Sequence, residues 1–248
     1  MSYQKSLLYL GAFSAALCAE LLSFSLVMPQ LLAQSLKVSV TFPPTENVGA
    51  PSRTAGAGKR SPSCVRGKTP LTALTPSNNV SITVSGNPTL FWYIPETNAQ
   101  LAELVVVDNE DNEVYQTTLA VNGTPGVVKF SLPSTVKLET GKNYLWQFAL
   151  ICKSTDRSED EFVRGFIKRT ELSSEQKARL ASTKEPLKQA EVYAGAKVWQ
   201  ETLTVLAQLR SQRPNDSKIT DAWEELLDSV ELQAIATEPL VECCKADN

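Results

Sequence analysis

Four acids and an arginine crowd into one short stretch: Asp156, Arg157, Glu159, Asp160 and Glu161. Two carboxylates held at the right separation can act as acid and base on a glycosidic bond. Asp156, Glu159 and Asp160 are therefore the candidate carboxylate site of a carbohydrate-binding or glycan-hydrolysing protein, with Phe91, Trp92 and Tyr93 available to stack on sugar rings. The plainer expectation is that the charge run is a solvated loop before a strand, and that at least two of the three aromatics are core.

Other chemistry is narrower. The chain has no histidine, which removes Ser-His-Asp and Cys-His catalysis, His-bearing zinc sites and a His general base. Gly56-Ala57-Gly58-Lys59 resembles part of a phosphate loop, but Arg53 stands where the earlier Gly is needed and Arg60 where the Ser/Thr is needed, with no strand before it. No nucleotide site is expected there. Asp108 to Glu113 clusters oxygen ligands that suit calcium. The spacing lacks the Gly and the distant Glu of an EF-hand loop, and it reads as a polar hairpin turn. No metal or other cofactor is expected.

Cysteine usage depends on where the protein works. Lys5 precedes an apolar stretch from Ser6 to Ala33 that ends in Leu31-Leu32-Ala33 before Gln34, the pattern of an export signal over residues 1–33. Glu20 interrupts it, so neither half reaches the roughly 18 apolar residues of a membrane span, although a retained signal anchor is the alternative. Cys18 follows Leu17, which argues against a lipid anchor. The expected location is periplasmic or secreted. Cleavage near Ala33 leaves Cys64, Cys152, Cys243 and Cys244. Four cysteines allow three pairings, of which Cys64 with Cys152 is preferred because it staples the following arm to the folded part. Adjacent Cys243 and Cys244 are awkward to pair with each other, and are either free or available to another chain. No Cys-x-x-Cys redox motif is present.

The elements that position these residues change character along the chain. Residues 34–70 hold Pro43, Pro44, Pro51, Pro62 and Pro70 with repeated glycines, an extended arm. Arg53, Lys59, Arg60 and Arg66 make it basic, with no acid from Asn47 to Pro95, and are the candidate interaction residues. Residues 71–169 alternate with period two. Short β-rich runs recur at Ser81–Val84, Leu90–Ile94, Leu101–Val107, Glu113–Leu119, Val128–Leu132, Tyr144–Cys152 and Phe162–Lys168. Within them Leu138 to Trp146 is similar to the tyrosine corner of immunoglobulin-like and fibronectin III-like sandwiches, where a Tyr hydroxyl bonds back to the chain upstream.

Residues 170–248 turn helical. Ser173 with Gln176 has capping-box spacing, and Ser182 with Glu185 opens a second helix with Pro186 in its first turn. Tyr193, Trp199, Thr202, Leu206, Leu209 and Pro214 fall at the offsets of one tetratricopeptide repeat, although Lys197 stands where that family places Gly and Thr202 where it places Ala. A last helix is expected from Lys218 to about Leu232. The fold class is thus α+β, β then α: an antiparallel Ig-like or fibronectin III-like β-sandwich followed by a small helical domain with one tetratricopeptide-like hairpin.

Arg53 to Arg60, Cys64, Leu71 to Pro76, Pro88 to Pro95 and Cys152 to Ser158 occur in an ordered series. The series resembles a family of exported cyanobacterial proteins known only as a domain of unknown function. The resemblance implies a cyanobacterial source and a periplasmic or surface location, and it implies no activity. Charge points the same way: residues 34–169 carry 14 Lys+Arg against 12 Asp+Glu, and residues 170–248 carry 9 against 14, far from the single-sign balance of a nucleic-acid binder. The expected function is that of a non-enzymatic interaction or structural protein of the cell envelope. Its expected partner is another envelope or secreted protein, with no nucleic acid or nucleotide, and with membrane contact only through an uncleaved signal.

Overall fold

A computed structural model describes residues 39–44, 64–242 and 244, all within one compact unit, Lys37–Asn248. The expected signal at 1–33 lies outside the described residues, as do Arg53, the Gly56–Lys59 segment, Arg60 and Cys243.

Eight strands precede four helices among the described residues. The strands are β1 Thr72–Ala73, β2 Val80–Thr83, β3 Thr89–Ile94, β4 Leu101–Val107, β5 Glu113–Ala120, β6 Gly126–Ser131, β7 Asn143–Leu150 and β8 Glu161–Arg169. They form a three-stranded sheet in the order β1-β3-β6 and a five-stranded sheet in the order β2-β8-β7-β4-β5. In immunoglobulin lettering this is A-B-E facing A′-G-F-C-C′. The antiparallel expectation needs one correction, because β2 pairs parallel to β8. After β1 the chain crosses to the other sheet without reversing, so β2 arrives running the same way as β8. Asn79 makes that crossing. It is fully buried, sits in the left-handed region at φ 59°, accepts from Thr75 Oγ1 at 3.2 Å and donates to Arg164 O at 3.1 Å.

Period-two alternation sends Leu104, Val106, Trp146, Phe148, Leu150, Val163 and Ile167 into the space between the sheets. Trp92 of β3 stacks on Phe148 with ring centroids 4.4 Å apart and meets Trp146 edge-on at 5.8 Å. The tyrosine corner forms as expected, with the Glu139 N–H donating to Tyr144 Oη at 2.8 Å. Antibody domains place a disulfide cysteine two residues after that Tyr. Trp146 holds that place here, and the cross-sheet pin is aromatic.

The helices are α1 Ser174–Ser182, α2 Pro186–Gly195, α3 Trp199–Gln212 and α4 Ser217–Asp228. α2, α3 and α4 cover the outer face of the three-stranded sheet, where Phe91, Tyr93 and Val127 join Leu187, Trp199, Leu203, Leu206 and Trp223 in a second core, and α1 buries no residue. Trp199 Nε1 donates to Leu74 O at 2.8 Å, tying α3 to the sheet. Part of the expected arm is also fixed. Val40 and Phe42 are buried, the Phe42 ring meets Trp199 edge-on at 5.0 Å, and the Phe42 N–H donates to Ser229 Oγ at 2.9 Å.

The helix ends hold two departures from the sequence reading. The Ser173–Gln176 capping box is present. Ser182, however, caps nothing: it is the last residue of α1 and its hydroxyl donates back to Arg179 O, so α2 starts from Glu185 with no side-chain cap and with Pro186 in its first turn. The last helix also ends at Asp228, short of Leu232. Glu231 adopts φ 63°, its N–H donates to Asp228 O, and the Leu232 N–H donates to Leu227 O, which completes a Schellman stop. The same motif ends α2, with Lys197 at φ 60° and the Val198 N–H on Tyr193 O. That is the position where the tetratricopeptide family places Gly.

Two substitutions test this packing. A Cβ at residue 165 would lie 2.5 Å from Trp146 Cζ2 and 3.0 Å from Asn79 Oδ1, so Gly165→Ala should destabilise by about 1–3 kcal/mol in urea unfolding. Lys197→Gly should stabilise by about 1 kcal/mol in the same assay, because it relieves a left-handed residue at the α2 stop.

Candidate functional site

The Asp156–Glu161 stretch is held in place by its own charges. Asp156 opens a 3-10 turn over Arg157–Glu159, accepting from Ser158 N at 3.1 Å and Ser158 Oγ at 2.6 Å, and these donors hold its carboxyl below the usual range. Asp160 is buried and accepts from Arg157 Nε and from the Cys152 N–H at 3.1 Å. Arg157 also reaches Glu103 Oε2 of β4 at 3.1 Å. The cluster fastens the β7–β8 connection to β4. Glu159 is half-buried at the end of the same turn.

Phe91, Trp92 and Tyr93 are all buried, at 5 % exposure or less, so none is open to stack on a sugar ring. The cause is the position of β3, central in its sheet and covered on both faces. Cys64 and Cys152 are joined by a disulfide, with Cα atoms 5.2 Å apart. Cys244 is also disulfide-bonded, so it is not the free thiol that is one of its two expected states. Arg66 pairs loosely with Glu96 at 3.8 Å, both side chains being exposed. Asp108 closes the β4–β5 hairpin, accepting from Glu110 N at 2.8 Å and Asn112 N at 3.0 Å. Among the described residues no group of three or more Cys, Asp or Glu is placed to hold a metal ion.

The site with unspent chemistry lies elsewhere, in a cleft of about 230 Å³ where the turn after β2 meets α2 and α3. Ser85, Asn87 and Thr89 line the sandwich side, and Tyr193, Glu201 and Thr204 the helical side. Glu201 Oε1 accepts from Thr83 Oγ1 at 2.7 Å, from Val84 N at 3.1 Å and from Ser85 N at 3.0 Å. Its other oxygen, Oε2, is buried without a partner, as is Oε1 of the neighbouring Gln200, a residue only 2 % exposed. Burial outweighs the donors and pushes the Glu201 carboxyl above its ordinary range. Burial, with Glu201 beside it, also raises the Tyr193 phenol.

The sequence contained one sign of this. Glu201 is the third residue of α3, where a capping-box Glu reaches back to its own N-cap. Here that N-cap is Val198, which offers no side-chain cap, and the carboxylate reaches the neighbouring sheet instead. Only the fold reveals which backbone it meets.

Because the folded pKa is raised, Glu201 contributes stability that is fully present below the ordinary Glu pKa and is lost as pH rises through the folded value. Glu201→Gln keeps the acceptor for residues 83–85 and removes the buried charge. Urea unfolding across roughly pH 4 to 8 should therefore show the variant gaining on the wild type as pH rises and levelling off above the folded pKa. A difference independent of pH would show that Glu201 is not the titrating group.

Residues 55–240 match the model of the family described as Domain of Unknown Function (DUF928). No curated protein matches the chain significantly. The matched span takes in Cys64, both sheets, the Glu201 cleft and all four helices, well over half of the sequence. The chain is a member of the DUF928 family.

Proposed function

We propose that this is a non-enzymatic interaction protein of the cell envelope, of cyanobacterial source and exported by a signal at residues 1–33, and that it binds an extended segment of another exported protein along β5. The Cys64–Cys152 disulfide supports the compartment, since such bonds persist where the environment is oxidising. Among the described residues no helix is long and apolar enough to cross a membrane.

The edge of β5 over residues 114–119 carries the reading. Sheet edges attract other strands, and proteins shorten, charge or cover them. β1 is only two residues long. β6 is bridged at its start by the C-terminal segment, where the Val127 N–H donates to Pro239 O and the Val241 N–H to Val127 O. β2 lies against α3 and its end is held by Glu201. Among the described residues, the 113–119 part of β5 pairs on one side only, with β4. From Val114 to Leu119 it carries no charge and no proline. Strand addition to such an edge takes affinity from backbone hydrogen bonds and specificity from alternate side chains. Half-buried Tyr115, stacked 6.2 Å from Phe130, gives that edge an apolar shoulder.

Thr118 lies opposite Glu103 in the β4–β5 register. Thr118→Lys gains a cross-strand partner and places a charge on the edge, so its stability should stay within about 0.5 kcal/mol of wild type. Crosslinking mass spectrometry on periplasmic extracts should place partner crosslinks along residues 113–119 and lose them in the variant. Recovery of only self-contacts, or crosslinks unchanged by the lysine, would overturn the reading.

A further inference from the structure

We infer that the cleft between the 85–89 turn and helices α2 and α3 binds a compact organic cation, a primary ammonium or guanidinium group, with the Glu201 carboxylate as its counter-charge. The inference is independent of the β5 edge.

The lining selects the ligand's charge. Among the described residues, Tyr193 and Glu201 are the only titratable side chains that line the cleft and no Lys or Arg does, so an anion there would meet a carboxylate. Glu201 has no ion pair among the described residues, and the groups that act on its carboxyl are neutral: the Thr83 hydroxyl and the Val84 and Ser85 N–H groups on Oε1, with its own backbone N–H nearby. Oε2 and Gln200 Oε1 are acceptors left without donors in a buried place. Native proteins rarely leave such atoms unpaired, and a buried charge lacking its opposite is the costliest case. A ligand that brings positive charge and N–H donors supplies what is missing. A neutral polyol would supply the donors without the charge.

The fit is consistent with that class. About 230 Å³ accommodates a short alkyl amine or the end of a basic side chain, and not a polymer. Tyr193 offers an aromatic wall, against which cations are attracted. Thr89, Asn87, Ser85 and Thr204 provide oxygen acceptors at the rim. The Ser85 hydroxyl bonds Asn87 Oδ1 only weakly, at 3.4 Å, and is easily redirected. Glu201 also fastens the end of β2 to α3, so a cation bound beside it acts where the sheet meets the helices.

The test is an amide-resolved NMR titration of the full chain with n-butylammonium and with Nα-acetyl-lysine amide, using methyl glucoside as a neutral comparison. Both amines should shift the signals of Tyr193, Thr204 and the 85–89 turn. Binding should weaken by about tenfold or more in Glu201→Gln and should strengthen as pH rises through the Glu201 titration, since the cation favours the carboxylate. A clear preference for the lysine amide would identify the natural source as a protein side chain, and equal binding would identify a free amine.

Thr204→Lys guards against a structural explanation. Residue 204 is one helical turn from Glu201, so the new ammonium should enter the cleft, raise the melting temperature and abolish the response to n-butylammonium. No amine response, a response unchanged in Glu201→Gln or Thr204→Lys, or a response to the glucoside alone would overturn the inference.

Discussion

Strand β3 is buried on both faces, and the other layers are arranged around that fact. Leu90, Trp92 and Ile94 point into the space between the sheets, while Phe91 and Tyr93 point into the helices. Each large apolar side chain removed from water contributes roughly 1.5–3 kcal/mol, so neither face can be left bare. The five-stranded sheet covers one and the helices cover the other, giving three layers in place of the usual two. The two cores share one backbone. Loosening either layer therefore exposes a strand on which the other also depends.

How much of this was legible follows from the kind of signal each element carried. The alternation in β4, β7 and β8 is a local signal, and so is the Tyr144 corner; both placed strands where they stand. The run Leu90 to Ile94 was legible as a strand but ambiguous in burial, because a continuous apolar run does not say what covers its second face. The parallel β2–β8 pair could not be read, since it depends on where the chain crosses between sheets. The helix stops at Lys197 and Glu231 were hidden because a non-glycine residue occupies the left-handed position that glycine normally marks.

The same distinction separates the site residues. A cluster close in sequence, such as Asp156 to Glu161, advertises itself, yet its members mostly bind one another and their own turn. The Glu201 cleft gathers Thr83 to Thr89 with Tyr193 to Thr204, more than 100 residues apart in the chain, and none of these residues looks unusual in its own neighbourhood. What makes the place distinctive is a carboxylate brought by one layer against another and left with one oxygen unused. That property belongs to the meeting of layers, and no local pattern encodes it.

The Cys64–Cys152 bond also sets how the molecule can bear load. Its 88-residue span closes a covalent loop around β1 to β7 and leaves β8 and the helices outside it. Tension applied through the two ends of the chain would pass from Cys64 directly to Cys152, bypassing seven strands. Roughly 300 Å of extended chain would be withheld from stretching. The force would fall on β8, which is held between β2 and β7 along its length. A protein tethered at one end and pulled at the other would then lose its helical layer and its β8 strand first, and would keep a closed, recoverable knot of sheet behind.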